Sequence, residues 1–143
     1  MIRVSTLTGA LLDYWVARAE GVPAAQLIIR SGPCAELDTC SVKPPTNAFT
    51  FGPGTFAPST SWSTGGPLIE KHELTLMRWK YSTIRMLEEK DFWAVELPCA
   101  SHYIDTYRDE WADEGSATPL QAICRAVVRA AFGDEVEDIK ETQ

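Results

Sequence analysis

The chain has 143 residues, enough for one domain with a sizeable core. Its 45% hydrophobic and 23% charged residues are typical of a globular protein, and no apolar run approaches the roughly 20 residues that a membrane-spanning helix needs. The net charge of -7 disfavours non-specific binding to duplex nucleic acid, because phosphates repel an acidic protein. We therefore expect one cytoplasmic domain over residues 1–143, not associated with a membrane, with an acidic tail from about residue 134.

The first predicted helix follows Thr8, whose side chain can cap it, and ends near Gly21. Its apolar residues recur at helical spacing and should face the core: Leu12, Trp15, Val16 and Ala19. Asp13 and Arg18 should lie off this apolar stripe. Residues 26–30, which read QLIIR, predict a short strand.

A long loop is predicted over residues 31–61, which contain five prolines among many Gly, Ser and Thr residues. A regular helix cannot run through them. Phe49, Phe51 and Phe56 are interleaved, and disordered linkers rarely carry so many aromatic residues. We expect this aromatic-rich loop to pack against the domain with short extended pieces.

The segment PLIEK predicts a short helical turn that begins with Pro67. Residues 73–89 fit a helix about as well as a strand, and we predict a strand over 73–79. Residues 91–97, which read DFWAVEL, predict a second strand. The two strands should pair as antiparallel neighbours.

The last predicted helix carries the strongest boundary signals. Thr118 should cap it, Pro119 should take its first position, and Gln121 would complete a capping box. Gly133 should end it, and the acidic tail that follows should fray. Its apolar stripe comprises Leu120, Ile123, Cys124, Val127, Val128 and Ala131.

These elements predict an α+β fold. A small, mainly antiparallel sheet packs with two amphipathic helices and the long aromatic-rich loop.

The four cysteines form no C-x-x-C pair, and in a cytoplasmic chain they should be reduced. Cys34, Cys40, Cys99 and His102 combine the residue types that bind zinc, but their spacing matches no usual structural zinc site. We therefore expect no metal and no cofactor.

Three blocks of the sequence carry a resemblance: LTGALLDYWVARAEG, FAPSTSWSTGGPLIEK and ATPLQAICRAVVRAAFGDEVE. In this order they resemble the phage NinX-like family, encoded in the nin region of lambdoid phages and in prophages. The corresponding family blocks read L-T-G-x-x-L-D, Y-S-P-S-T-x-W-x-x-G-G-P-x-I-E and T-P-L-x-A-x-x-R. The chain departs at Phe56-Ala57, where the family usually shows Tyr-Ser, and at Ser61, where Asp is common. The resemblance implies a phage or prophage origin and an accessory role, and it implies no particular reaction.

The middle block surrounds one tryptophan with hydroxyls and glycines, which suggests a site for a small polar or phosphorylated ligand. If PLIEK is helical, Gly65 and Gly66 lie at its N-terminus, where free amides and the helix dipole favour an anion. Asp13 and Arg125 are charged residues of the two flanking blocks. The candidate ligand-binding residues are Asp13, Ser59, Thr60, Trp62, Gly65, Gly66, Glu70 and Arg125.

Trp62 is expected to be a buried pin that anchors this loop, because an indole combines a large apolar area with one hydrogen-bond donor. Ser59, Thr60, Gly65 and Gly66 would then form the exposed edge of a cleft. A purely structural role is the alternative, since Ser and Thr cap helices and Gly-Gly-Pro is ordinary turn chemistry.

Catalytic motifs are missing from the sequence. It has no G-x-S-x-G, no P-loop and no G-x-G-x-x-G, and neither His72 nor His102 has a nucleophile at a recognisable spacing. We expect a non-catalytic protein that binds a host or phage protein or a small polar ligand. One alternative is a small enzyme acting on a nucleotide-like or other anionic substrate. Another is an inhibitor that imitates nucleic acid through the acidic residues 105–114 and the tail. The sequence does not indicate an oligomeric state.

Overall fold

The computed structural model describes residues 1–34, 38–42, 54–81, 90–96 and 118–139. Within these ranges the chain forms three α-helices and seven strands, and every strand pair is antiparallel. The predicted α+β class is confirmed. The described strands form three small sheets instead of one. The described α-helices number three, because the short turn predicted at PLIEK is part of a longer helix.

The helices are α1 (Gly9–Ala19), α2 (Trp62–Lys71) and α3 (Pro119–Phe132). The strands are β1 (Ile2–Arg3), β2 (Leu27–Arg30), β3 (Thr39–Val42), β4 (Gly54–Thr55), β5 (Thr75–Tyr81), β6 (Lys90–Glu96) and β7 (Glu135–Val136). In the described ranges, no helix combines the length and the apolar character that crossing a membrane requires.

The three sheets join strands in the orders β1–β7, β2–β3–β4 and β5–β6. The β1–β7 pair sets Ile2 opposite Val136. The prediction that the tail frays directly after Gly133 is therefore wrong for residues 135 and 136, which form a strand. Val136 is buried, and its burial together with the strand pairing holds the first part of the tail in place. Residues 140–143 lie outside the described part of the chain.

Helix α1 is buried on two sides. Its predicted stripe lies in the main hydrophobic cluster, while Ala10 and Ala17 pack in a second cluster with Leu27 and Cys40 from the β2–β3 strands. Asp13 is also buried, so the prediction that it lies off the core is wrong. Alanine occurs on both buried and exposed helix faces, so Ala10 and Ala17 do not by themselves predict that this second side of α1 is buried.

Helix α3 supplies the centre of the main cluster and contacts α1, α2 and β6. Val127 is 1% exposed, as its position on the apolar stripe predicts. Ala131 is exposed, contrary to prediction, because the last turn of α3 extends past the core. The predicted boundaries are confirmed: Thr118 Oγ1 accepts a hydrogen bond from the Gln121 amide (3.2 Å), and Gly133 follows the helix with φ +86°.

Helix α2 begins five residues before the predicted position. Pro67 lies inside the helix and not at its first position. The Ser61 carbonyl opens the helix by accepting bonds from the Thr64 and Gly65 amides, at 3.2 and 2.8 Å. Gly65 and Leu68 are buried, so packing stabilises a helix that two glycines and a proline disfavour locally.

Strand β5 begins two residues later than predicted, because Glu73 adopts a left-handed backbone (φ +53°) and the Leu74 amide still bonds to the Ile69 carbonyl at the end of α2. The predicted antiparallel pairing of β5 with β6 is confirmed.

Two short strands, β3 and β4, occupy part of the predicted long loop. Phe56 is partly buried and packs against both clusters. Phe49 and Phe51 lie outside the described residues.

Candidate functional site

The segment before α2 is fastened to the core by a buried carboxylate. The Ser59 amide donates a hydrogen bond of 2.9 Å to Oδ1 of Asp13 on α1. Asp13 is 4% exposed and Ser59 is 6% exposed. The Ser59 hydroxyl lies close enough to the carboxylate to lower its pKa, yet it reaches good hydrogen-bond geometry with no described group. One buried backbone hydrogen bond therefore fixes the loop.

Burial dominates the electrostatics around Asp13. It raises the pKa of the Asp13 carboxyl above its ordinary value, and the interactions with Ser59 offset only part of this increase. Burial also raises the pKa of the Cys40 thiol to about 12 and that of Cys124 still further, with a smaller contribution in each case from the Asp13 charge. These two buried thiols are protonated at neutral pH and are poor nucleophiles there.

Gly65 brings the second sequence block against the third. A Cβ atom at this position would lie 2.4 Å from the Pro58 carbonyl oxygen and 2.8 Å from Cδ2 of Leu120. Only a glycine lets α2 approach the loop and α3 this closely. Arg125 joins the third block to the first, since its Nε donates to the Leu7 carbonyl at 3.1 Å.

Trp62 is not the buried pin that we predicted. It is 52% exposed, at the first position of α2. The other predicted edge residues also differ from expectation, because Ser59 and Gly65 are buried, whereas Thr60 is exposed and Gly66 half-buried. The loop is anchored by the hydrogen bond between Ser59 and Asp13, and the Trp62 indole is about half exposed to solvent.

Helix α2 presents a continuous outer face around Trp62. Its residues are those of α2 that lie toward solvent at helical spacing and are exposed or half-buried: Trp62, Ser63, Gly66, Pro67 and Glu70. We call this set the Trp62 surface. The indole lies along the helix, since a Cβ atom at Gly66 would sit 3.9 Å from its Cε3 atom.

The predicted anion site at Gly65 and Gly66 does not have the expected geometry. Both glycines lie inside α2 and not at its N-terminus. The Gly65 amide donates to the Ser61 carbonyl, and Gly66 lies beyond the first turn, where amides are bonded within the helix.

The predicted site residues are therefore divided between two environments. Asp13, Ser59, Gly65 and the Arg125 guanidinium lie at contacts between the three sequence blocks. Thr60, Trp62, Gly66 and Glu70 face outward or partly outward.

A surface cluster that the sequence did not reveal joins the C-terminal ends of α1 and α2. Glu20 Oε2 binds the Lys71 ammonium, and Glu20 Oε1 lies 2.5 Å from His72 Nε2. Burial alone would raise the pKa of Glu20, but the hydrogen bonds and charges of Lys71 and His72 together hold it below its ordinary value. Basic residues at a helix end are common, so Lys71 and His72 do not by themselves indicate a partner 51 positions away from Lys71.

Possible ligands for a metal are dispersed in the part of the chain that the structure describes, where no group of three or more His, Cys, Asp or Glu side chains could hold an ion. Of the four zinc-type residues considered above, Cys34 is exposed and Cys40 is buried, while Cys99 and His102 lie outside the described residues.

A cleft of about 530 Å³ lies beside the β1–β7 pair and contains none of the predicted site residues. It is lined by Met1, Arg3, Ser5, Phe132, Asp134 and Glu135.

The family model described as Bacteriophage P22, NinX matches residues 3–130. This range contains the first two sequence blocks, residues 117–130 of the third, and the contacts between the blocks described above. No curated protein matches the chain.

Proposed function

The chain belongs to the bacteriophage P22 NinX family, and from this premise we propose that it is a phage accessory protein that binds a partner through the Trp62 surface. The proposal places it in the cytoplasm of the host cell and assigns it no turnover. A partner protein suits this surface better than a small polar ligand, because a helix face is convex, whereas small-ligand sites are usually concave.

The exposure of Trp62 carries the proposal. The residue leaves 52% of its surface open, although the loop immediately before it is tied to the core through Ser59. A tryptophan held on an ordered helix needs little further ordering when it binds, and tryptophan is enriched among residues that dominate binding energy. The hydrogen bond from Ser59 to Asp13 supports such pre-organisation.

Capture of partners from phage-infected cells tests the proposal. The tagged protein and its Trp62→Ala variant would be used as bait, with Phe132→Ala as the matched control. Phe132 is also an exposed aromatic residue (40%), and it lies on α3, outside the Trp62 surface. We expect one or more partners to be retained by the parent and by Phe132→Ala and lost from Trp62→Ala.

Thermal melting must accompany the capture experiment. A half-exposed Trp62 should contribute little to stability, so the Trp62→Ala variant should melt close to the parent, whereas truncation of a buried indole costs about 3–5 kcal/mol. If Trp62→Ala retains every partner at parental levels, the proposal is wrong.

One of the two alternatives is an enzyme acting on an anionic substrate. The argument that the Gly65 amide is free to bind an anion does not hold, because this amide donates to the Ser61 carbonyl. The acidic segment that suggests imitation of nucleic acid, residues 105–114, lies outside the described residues. The Trp62 surface therefore provides the better-supported function.

A further inference from the structure

We propose that the partner of the Trp62 surface is a basic protein segment that places one arginine on the Trp62 indole and a second basic side chain on Glu70. The inference rests on the proposed function and specifies the chemistry of its partner. It follows from three properties of the surface: an excess of hydrogen-bond acceptors, an exposed aromatic ring, and a carboxylate that has no cation beside it among the described residues of the same face.

The acceptors come from Pro67 and its neighbours. Proline has no amide hydrogen, so Pro67 cannot give the Ser63 carbonyl the bond that residue i+4 normally provides in a helix. The hydroxyls of Ser61 and Ser63 lie 2.8 Å apart at the start of α2, where each retains acceptor capacity. A guanidinium carries five N–H donors and no acceptor, so it complements this group of oxygens.

The indole favours the same partner. A guanidinium is attracted to the face of a tryptophan ring, an interaction of about 0.5–1 kcal/mol at exposed sites, which corresponds to roughly 2- to 5-fold in affinity. Gly66 has no side chain to cover the ring, and Trp62 is 52% exposed to solvent.

The charge of the surface favours a basic partner over an anionic ligand. Glu70 is exposed, eight positions and therefore about 12 Å along α2 from Trp62. Lys71 is the next residue, but its ammonium is bound by Glu20 from α1. The whole chain carries a net charge of -7, which further favours a cationic segment. Two basic residues four positions apart in an extended segment are separated by about 13 Å, which matches the distance from Trp62 to Glu70.

The test uses two synthetic peptides with a Gly/Ser background. One carries two arginines four positions apart, and the other carries two glutamates at the same positions. Each is titrated into the full chain while the indole N–H signals are followed by NMR, with the Trp62 signal assigned from its absence in Trp62→Phe. We expect the Trp62 signal to shift with the arginine peptide only.

Two charge variants separate a specific contact from general attraction to an acidic protein. Glu70→Gln should weaken binding of the arginine peptide by roughly 1.4- to 5-fold, the range of an exposed ion pair. Glu73→Gln removes the same charge from an exposed residue beyond the end of α2 and should leave the affinity unchanged. Equal weakening by both variants, no weakening by Glu70→Gln, or equal binding of the glutamate peptide would each overturn the proposal.

The capture experiment distinguishes failure of this inference from failure of the proposed function. If Trp62→Ala loses a partner that Glu70→Gln retains at full level, the basic segment is wrong and the binding function stands. If Trp62→Ala loses nothing, both are wrong. Circular dichroism of each variant establishes that α2 is intact.

Discussion

The amide of Ser59 and the carboxylate of Asp13 form a buried hydrogen bond of 2.9 Å between residues 46 positions apart. This bond ties the loop that precedes α2 to the middle of α1. Trp62 follows three residues after Ser59 and remains largely outside. The contact therefore determines where the outward-facing indole stands.

Substitutions at this contact should have clearly ranked effects. Asp13→Ala leaves the buried Ser59 amide without an acceptor and should lower the free energy of unfolding by about 1–3 kcal/mol. Asp13→Asn keeps an acceptor oxygen and should cost less. Ser59→Ala keeps the backbone bond and removes a buried hydroxyl that has no well-placed partner among the described residues, so it should be nearly neutral or stabilising. Denaturant unfolding of the three variants measures the order, and a Ser59→Ala loss as large as that of Asp13→Ala would contradict it.

The stability of the protein should also depend on protonation of Asp13. Burial holds the folded pKa above the ordinary value of 3.8, so the folded protein keeps a proton that the unfolded chain releases. The contribution of Asp13 is therefore fully present below pH 3.8 and is lost as pH rises through the folded pKa. Asp13→Asn should abolish this decline. Urea unfolding from pH 3.5 to 7 tests it, and parallel curves for parent and variant would show that Asp13 is not the group responsible.

Glu20 should act in the opposite direction. Its folded pKa lies below the ordinary value of 4.5, because Lys71 and His72 together outweigh the effect of burial. Its contribution is present above pH 4.5 and is lost as pH falls through the folded pKa. Glu20→Gln should flatten this acid limb and leave the Asp13 limb in place. Because the cluster is at the surface, 0.5 M salt should reduce the difference between parent and variant; a difference that grows with salt would exclude an ionic origin.

The two adjacent glycines of α2 should respond oppositely to alanine. At Gly65 a methyl group would meet the Pro58 carbonyl oxygen at 2.4 Å, so Gly65→Ala should destabilise the protein by about 1–3 kcal/mol or more. At Gly66 the nearest atom would be 3.9 Å away, so Gly66→Ala should stabilise the helix by about 0.5–1 kcal/mol. Thermal melting of the pair checks the register of α2, and two variants of equal stability would show that Gly65 does not make this close approach.

The elements that sequence could predict are those with local signals. The caps of α3 depend on Thr118, Pro119 and Gly133, which are close in sequence to the ends they define, and the structure confirms them. The β5–β6 pair was also predicted from two nearby segments, although the pattern of residues 73–89 fits a helix about as well as a strand. These features need no knowledge of distant residues.

The features that sequence did not predict depend on distant partners. Asp13 is polar, and only its contact with Ser59 explains why a carboxylate lies in the core. Pro67 indicated a helix start, but packing of Gly65 against Pro58 and Leu120 extends α2 back to Trp62. Burial of Trp62 was predicted from its large apolar area. The loop is anchored instead by the hydrogen bond from Ser59 to Asp13, and no local sequence pattern indicates a contact between residues 46 positions apart.

The segments that pack against α1 include some that lie far along the chain. Its apolar stripe packs against α3, and β1 pairs Ile2 with Val136, 134 positions further along the chain. During translation α1 is made before α3, which begins about 100 residues after α1 ends. Until α3 has been made, the nascent chain exposes the apolar face of α1, and such transiently exposed apolar surface is prone to aggregation and is bound by chaperones.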